Sequence, residues 1–393
     1  MKAMWTQRNR WAALAFVLTA GGISAQGIDV SGVLDSVAGF ALGAEGAEGT
    51  DHSWGAEEYA NLRFKAGTGE QAVVYGAFNF IAAAGSSASA LAAAQSSAAE
   101  RNYLAAMELE RLYFRANGEY MDAEAGLMRL AFGYGQTWAS SDFLNPRSPL
   151  FPDARPRGVL AASFAFYPGD SLKLTAFGAA PKAPLDSGGG GLIPGLSLDR
   201  HWDRASLQAL YAFETPGGAP RGIPGETPET GLHRFGLSLK ADLELGLVAD
   251  ILYTLDPSKL DGLDGLSAGA GFDYSFFRGK FYVLAEYLFN GASSVTAAAG
   301  EGYLSNSHYL YATVRYAIND YAGLSLADTH CLEDLSFMPA LSLDYELFQG
   351  FVLTLTAKAC LDQETLSGGA AGEFGPAATG SRGDLRLKAS LRF

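Results

Sequence analysis

The sequence predicts an all-β protein, a transmembrane antiparallel up-and-down β-barrel of about 16–18 strands. Three observations predict it: apolar and polar residues alternate in many short segments, short turns and long loops follow one another, and Tyr and Phe gather at strand ends. The composition agrees, with 48 Gly, 24 Phe and 18 Tyr in 393 residues and only 18% charged residues. That balance is unusual for a soluble protein.

The first 25 residues have the features of a secretory signal peptide. Three basic residues precede a short apolar run, and a stretch of small residues then ends at Ala25. We expect cleavage after Ala25, with residues 26–393 forming a single barrel domain. Removing the segment leaves 25 basic and 42 acidic residues, a net charge near −17. Such a chain is a poor partner for nucleic acid or for an anionic surface.

The exported part of the chain has no stretch that predicts a transmembrane helix. After residue 25 no uninterrupted apolar run reaches the length of about 18 residues that such a helix needs. The remaining choices are a soluble protein or a closed barrel. A soluble sandwich would carry much more charge on its exposed faces, whereas the polar faces here are mostly Gly, Ala, Ser, Thr and Tyr. We therefore expect the apolar faces to contact lipid.

The alternation is strictest in residues 383–393, GDLRLKASLRF. Side chains in an extended strand point alternately to opposite faces. We expect this strand to close the barrel against residues 28–42. Its apolar face consists of Leu385, Leu387, Ala389, Leu391 and Phe393.

The same alternation in other segments places a set of charged residues on the polar face. If these faces line a lumen, charges of both signs are interleaved, many of them will pair, and the acidic surplus predicts a weak cation preference. The predicted pore-lining residues are Arg63, Lys65, Lys173, Arg204, Arg234, Lys240, Asp250, Asp273, Glu286, Arg315, Asp344, Lys358, Arg386 and Lys388.

The connections fall into two length classes. Residues typical of hairpin turns stand between long loops, which predicts short turns at one rim and long loops at the other. An even strand number requires one further crossing within residues 181–203, near 190–199. Tight turns are predicted at 68–70, 117–119, 167–170, 244–246, 277–280, 318–320 and 348–350.

The candidates for covalent chemistry are few. Cys331 and Cys360 permit one disulfide in an exported chain, although spacing alone does not decide whether it forms. The five histidines have no partners at metal-site spacing, and the run GGGGLIPG lacks the Lys and Ser or Thr of a phosphate-binding loop. We expect no enzymatic activity, no cofactor and no metal.

Taken together, these features resemble the Gram-negative-type outer-membrane β-barrel superfamily over nearly the whole exported chain. The closing strand resembles the β-signal that the barrel assembly machinery recognises, carried here by Leu385, Leu387, Ala389, Leu391 and Phe393. The resemblance implies an outer-membrane location, with lipid, the assembly machinery and small solutes as partners. It leaves the oligomeric state open.

A narrower resemblance lies in residues 133–152, GYGQTWASSDFLNPRSPLFP, which are similar to a strand-and-loop segment of porin-like families. Those families have a Gly, a Gln, a Trp and a later Asn-Pro in this order, and a basic residue between the Gly and the Gln that this chain lacks. An ordered surface loop with an Asn-Pro turn is the alternative interpretation. The candidate residues for a loop that constricts the pore are Trp138, Asp142 and Asn145.

The resemblance implies a porin-like channel for the passive diffusion of small hydrophilic solutes. Two alternatives remain open at this point: an outer-membrane transporter of fatty-acid-like hydrophobic substrates, and a surface adhesin or structural barrel whose external loops carry the function.

Overall fold

Eighteen antiparallel strands form one closed sheet in the computed structural model. Neighbouring strands follow the chain order, and β1 pairs with both β2 and β18, which closes the cylinder. The predicted up-and-down barrel is therefore confirmed, with the larger of the two strand counts. The structure describes residues 27–43, 52–68, 71–94, 102–145, 158–180, 191–216, 231–257, 265–291 and 304–393, so the predicted signal peptide lies outside the described residues.

Apart from β5, which has eight residues, the strands reach or exceed the roughly 9–11 tilted residues that cross a bilayer. In chain order they are β1 Ile28–Gly43, β2 His52–Thr68, β3 Ala72–Gly85, β4 Tyr103–Asn117, β5 Met121–Met128, β6 Val159–Gly169, β7 Leu172–Ala180, β8 Ile193–Trp202, β9 Ala205–Glu214, β10 Leu232–Asp242, β11 Gly246–Leu255, β12 Leu266–Phe276, β13 Phe281–Asn290, β14 His308–Ala317, β15 Ala322–Cys331, β16 Phe337–Phe348, β17 Phe351–Ala359 and β18 Ser381–Arg392.

Three helices lie in the connections: α1 Ser86–Ala94, α2 Gln363–Ser367 and α3 Pro376–Thr379. None of the helices in the described ranges has the length and hydropathy needed to cross a membrane.

The connections alternate between the two rims as predicted. Strands β2 and β3, and every second pair after them, are joined by two to four residues, whereas the other rim carries loops of up to 30 residues. The crossing expected near 190–199 is β8. The sequence missed the tight turn after β8, which contains Arg204. Arg204 was predicted to line the pore from a strand, and this prediction is wrong because the residue lies in the turn at the rim.

The two faces of the sheet are the reverse of those in a soluble barrel. Asp35 pairs with Ser390 on the inner face and is 5% exposed, while Leu387, one position from Lys388, points outward and is 49% exposed. Residues that are paired across neighbouring strands lie on the same face of the sheet. The strand register therefore extends this inward or outward assignment to all eighteen strands.

A bulge interrupts the alternation in β4. The register shifts where Ala77 pairs with Arg111 and Phe78 pairs with Leu109, which leaves Glu110 as the extra residue. Glu110 is buried and accepts a hydrogen bond from the Asn61 side chain at 2.7 Å. The bulge therefore turns an additional charged side chain inward.

The barrel closes where Phe393 contacts Gly32. The two residues exchange backbone hydrogen bonds of 2.8 and 3.1 Å, and the phenyl ring lies against the outer side of Gly32. A Cβ atom at Gly32 would lie 2.6 Å from Phe393 Cζ and 2.8 Å from the Asn61 carbonyl oxygen. Only a glycine leaves room for the ring at this position.

We predict that Gly32→Ala destabilises the closed barrel by about 1–3 kcal/mol, because the added methyl group overpacks the closing seam. The measurement is the urea midpoint of the folded protein in liposomes. Gly39→Ala, on the same strand, is the matched control, since its Cβ would meet nothing closer than 3.7 Å. Equal midpoints for the two variants would contradict the predicted role of the Gly32 site.

Candidate functional site: the lumen and its inward loop

Charged side chains line the inside of the barrel. Except for Arg204, the predicted pore-lining residues all lie on strands, and the register places them all on the inner face. Several pair across the wall, as with Lys358 and Asp384 at 3.0 Å and Lys388 and Asp35 at 3.6 Å. The wall is therefore polar, and many of its charges are paired with a neighbouring charge of opposite sign.

A loop after β5 turns into the barrel and lies against strands β9–β13. Its first contacts are made by backbone amides. The amide of Gly133 donates to Gln208 Oε1 at 2.8 Å, and those of Tyr134 and Gly135 donate to the two carboxylate oxygens of Asp250 at 3.0 and 2.7 Å. One acidic side chain on β11 thus binds two consecutive N–H groups.

Glu286 on β13 continues this pattern. Its carboxylate accepts from the amides of Gln136, Thr137 and Trp138 at 2.6, 2.7 and 3.0 Å, and its carbonyl oxygen accepts from the indole Nε1 of Trp138 at 3.3 Å. We call residues 133–138 the docking segment. Its six consecutive N–H groups all donate to side chains of the barrel wall.

Glycine is required at two positions of the docking segment. Gly133 has a φ of +84°, and a Cβ atom at either Gly133 or Gly135 would lie 2.8 Å from Asp250 Oδ2. The backbone can approach the carboxylate only because these side chains are absent.

The hydrogen bonds from the docking segment are important for stability because the two carboxylates that accept them are buried. Asp250 and Glu286 are 2% and 3% exposed, so each ionised carboxylate must be compensated inside the protein. Hydrogen bonds from several N–H groups provide that compensation, and bonds to a charged acceptor are stronger than those between neutral groups. The loop and the wall acids therefore stabilise each other.

Apolar contacts hold the loop on both sides of the docking segment. On one side, Phe132 and Leu144 pack against Phe177 and Leu210 of the inner wall. On the other, Trp138 packs against Tyr309, with ring centroids 5.9 Å apart. The loop thus crosses the interior from β5 to β13–β14.

The predicted constriction residues Trp138, Asp142 and Asn145 all lie in this loop, and all three are buried. Asp142 Oδ1 accepts from the Asn145 amide at 3.0 Å, and the Asn145 side chain donates to the Leu130 carbonyl. These polar side chains fix the shape of the loop. Within residues 133–138, the exposed residue is Gln136. Its side-chain amide donates a hydrogen bond to Asp273 and accepts one from the Tyr282 hydroxyl.

A second connection, residues 360–380, also packs into the loop end of the barrel. The run of Gly residues and one Pro in it indicates a long loop but does not predict that the loop turns inward. Phe374 is buried beside Tyr309 at 5.9 Å between ring centroids. Glu373 accepts from the Tyr309 hydroxyl at 2.6 Å and from Asn306 Nδ2 at 2.9 Å. The two inward segments meet at Tyr309.

Asp334 anchors this second connection. Its Oδ2 accepts from the Glu373 amide at 2.7 Å, and its Oδ1 accepts from the Ser336 hydroxyl at 2.6 Å. Burial alone would raise the pKa of Asp334, but the hydrogen bonds from Ser336 and Glu373 outweigh it, so the pKa lies below its ordinary value. The carboxylate is thereby kept in its charged, bonding form.

One group of side chains has the atoms of a metal site. The ligand atoms of Cys331, Asp334 and Glu373 lie within 4.8 Å of one another. Both carboxylates, however, already accept the hydrogen bonds described above, which hold the second connection in place. The arrangement fits a structural hydrogen-bond cluster better than a metal centre.

The two cysteines are free thiols, both buried. Strand β16 lies between the strands that lead to Cys331 and Cys360, which separates them by about two strand spacings, roughly 10 Å. A disulfide needs Cα atoms within about 7 Å. The disulfide that the sequence permits is therefore not formed in this structure.

Comparisons with known proteins agree on the fold. No model of a known protein family matches the sequence, and no curated protein matches it. Among solved structures, OccAB3 of Acinetobacter baumannii is 11% identical with a TM-score of 0.56, covering 93% of this chain and 99% of its own. A BenF-like porin from Pseudomonas fluorescens Pf-5 is 10% identical with a TM-score of 0.56, covering 94% and 99%.

A mutant of the Rh. blastica porin is also similar, at 11% identity with a TM-score of 0.50, covering 93% of this chain and all of its own.

We predict that Glu286→Ala releases one half of the docking segment. The amides of residues 136–138 should exchange with solvent hydrogen at least about tenfold faster, because each loses a charge-assisted bond of about 1.5–3 kcal/mol. The amides of 133–135 should change less, since Gln208 and Asp250 still bind them. Hydrogen exchange of the folded protein measures both groups.

Asp344→Ala is the matched control, because this inward acid on β16 bonds to Thr354 and not to the loop. Unchanged exchange at 136–138 in Glu286→Ala would show that the wall carboxylate does not hold the loop.

At this level of sequence identity the similarity concerns architecture: this chain has the fold of the outer-membrane porins.

Proposed function

We propose that this protein is an outer-membrane channel for the passive diffusion of small hydrophilic solutes. The observation that supports it most is the inner wall, where charged and polar side chains alternate with outward apolar ones around eighteen strands. A barrel of this size encloses an aqueous interior unless inward segments fill it. Two of the similar solved structures are named as porins, which agrees with a channel.

The inward loop is proposed as the constriction of this channel. It is bound along β9–β14, so solutes would pass between the loop and the opposite wall, formed by β1–β3 and β15–β18. Trp138, Asp142 and Asn145 would act by fixing the loop in place, and Gln136 would face the passing solute.

The exposure of the inward charged side chains indicates whether the channel favours cations or anions. The charge count predicts a weak cation preference, but the four acids of the predicted pore-lining set are all buried or half-buried. Arg63, Lys65, Arg315 and Arg386 of the same set are exposed. Asp250 and Glu286 are buried and bound to the loop, so they present little charge to water. We infer that the open part of the lumen favours anions weakly.

The hydrophobic-transporter alternative receives less support. It requires a ladder of apolar side chains open to the lumen. Phe177, Leu284 and Leu288 do face inward, but all three are buried. Phe177 lies beneath Phe132 and Leu288 beside Trp138, so a lipid-like ligand could reach these two only after the loop had moved. Val352 also faces inward and is half-buried, which leaves one partly open apolar position and not a ladder.

We further propose that the tight turns face the periplasm, as is usual for such barrels, and that the strand ending at Phe393 is presented to the barrel assembly machinery.

We predict that the purified protein opens ion-conducting channels in a planar bilayer, and that Asp250→Ala/Glu286→Ala raises the single-channel conductance. The double substitution removes the acceptors of five backbone N–H groups, so the loop should leave the wall and the constriction should widen. Single-channel recording measures the change.

Asp344→Ala controls for the loss of an inward negative charge without loop contacts, and its conductance should stay close to that of the unsubstituted protein. A folded protein that never opens a current would refute the channel assignment, and unchanged conductance in the double variant would refute the constriction.

We also predict that Arg63→Gln/Arg315→Gln moves the reversal potential in a KCl gradient toward that of a cation-preferring channel. The permeability ratio should change on the order of twofold, because each exposed charge acts over a screening length of about 8–10 Å. Arg200→Gln, which removes an arginine from the outer face of β8, should leave the ratio unaltered. The inferred anion preference would be contradicted if the unsubstituted protein preferred cations and the double variant had the same permeability ratio.

A further inference from the structure

The outer face of the barrel carries one basic side chain where lipid headgroups are expected. Arg200 on β8 shares an outward row with Leu172 and Leu207, close to the tight turns. Within the described strands, no other Lys or Arg points outward in the half nearer these turns. A charge facing lipid is costly unless it reaches a polar partner at the interface.

The surroundings of Arg200 are those of a membrane interface. Its guanidinium lies 5.8 Å from the centroid of the Trp202 ring, and Trp202 is more than half exposed at the end of the strand. Tryptophan is enriched at the level of lipid headgroups. Among the described residues, no carboxylate forms an ion pair with Arg200.

A groove of about 550 Å³ begins in the next row of the same face. Leu198 precedes Arg200 by two residues, about 7 Å along the strand, and its row continues through Leu174 and Ala209. The small side chains of Ala176 and Ala209 form the floor. The larger outward side chains that surround it are Phe164, Phe166, Leu174, Leu196, Leu198 and Tyr211.

We propose that this face binds one glycerophospholipid of the inner leaflet, with its phosphate on Arg200 and one acyl chain in the groove. A guanidinium binds phosphate through two parallel hydrogen bonds, which suits a headgroup at the interface. The apolar groove starts where the acyl chain of that lipid would begin. The assignment rests on the barrel lying in a membrane with its tight turns toward the periplasm, and is independent of whether it conducts.

A second copy of the chain fits this surface less well. The described strands place no Asp or Glu on the outer face in the half nearer the tight turns, so a neighbouring copy would offer no carboxylate at the level of Arg200. A lipid phosphate is the anion available there.

The test uses the folded, delipidated protein in detergent, with native mass spectrometry to count bound lipid. The probes are palmitoyl-oleoyl phosphatidylglycerol and the diacylglycerol with the same chains. We expect the protein to retain one phosphatidylglycerol, and Arg200→Gln to weaken that binding about tenfold, as for the loss of one charged hydrogen bond. Diacylglycerol binding should be weaker and insensitive to Arg200→Gln.

Ala209→Phe should also abolish retention, because the ring fills the groove while the guanidinium remains. Two variants serve as matched controls: Arg278→Gln, in a tight turn away from the groove, and Ala249→Phe, at an outward position on β11. Both should bind lipid normally. All variants should keep the unsubstituted conductance, which separates this site from the channel.

Equal retention by the unsubstituted protein and Arg200→Gln would overturn the proposal. So would an oligomer, measured by light scattering, that Ala209→Phe converts to a monomer, since that result would place a second copy in the groove.

Discussion

Closure of the sheet by β1 and β18 is the constraint on which the rest of the structure depends. In hydrocarbon no water is present to bond to exposed N–H and C=O groups, so a membrane-spanning sheet must have no free edge. Gly32 and Phe393 complete this closure by exchanging backbone hydrogen bonds at the seam. Once the cylinder is closed, its outer face must be predominantly apolar, and most of the charged side chains of the strands point inward.

That inversion explains why buried acids, together with two apolar clusters, organise the interior. Asp250 and Glu286 are almost fully buried, and an ionised carboxylate cannot remain there without compensation. Arginine and lysine compensate some inward acids, as Arg234 does for Glu214 at 2.6 Å. The backbone amides of the docking segment compensate Asp250 and Glu286 instead. The inward loop is therefore a consequence of where the strands place their acids.

The sequence predicted the fold well because the barrel is built from local regularities. Alternation with period two and turn chemistry are both visible within ten residues. Where that pattern was weak, the requirement for an even strand number located β8. The seam at Gly32 was not predictable in this detail, since the two contacting residues are 361 positions apart. The turn containing Arg204 was missed because the connection between β8 and β9 is only two residues long and contains no Gly, Pro or Asn.

The sequence predicted which residues belong to the site but not which of them contact one another. Glu286 and Trp138 were both named, one as a pore-lining acid and the other as a constriction residue, yet no local pattern joins positions 148 residues apart. The same limit bears on the ion preference that we infer for the channel. A charge count treats each acid of the wall as open to water, whereas the folded loop removes Asp250 and Glu286 from the lumen and leaves Arg63 and Arg386 in it. The charge that a solute meets depends on which wall residues the loop covers, and that is a tertiary property.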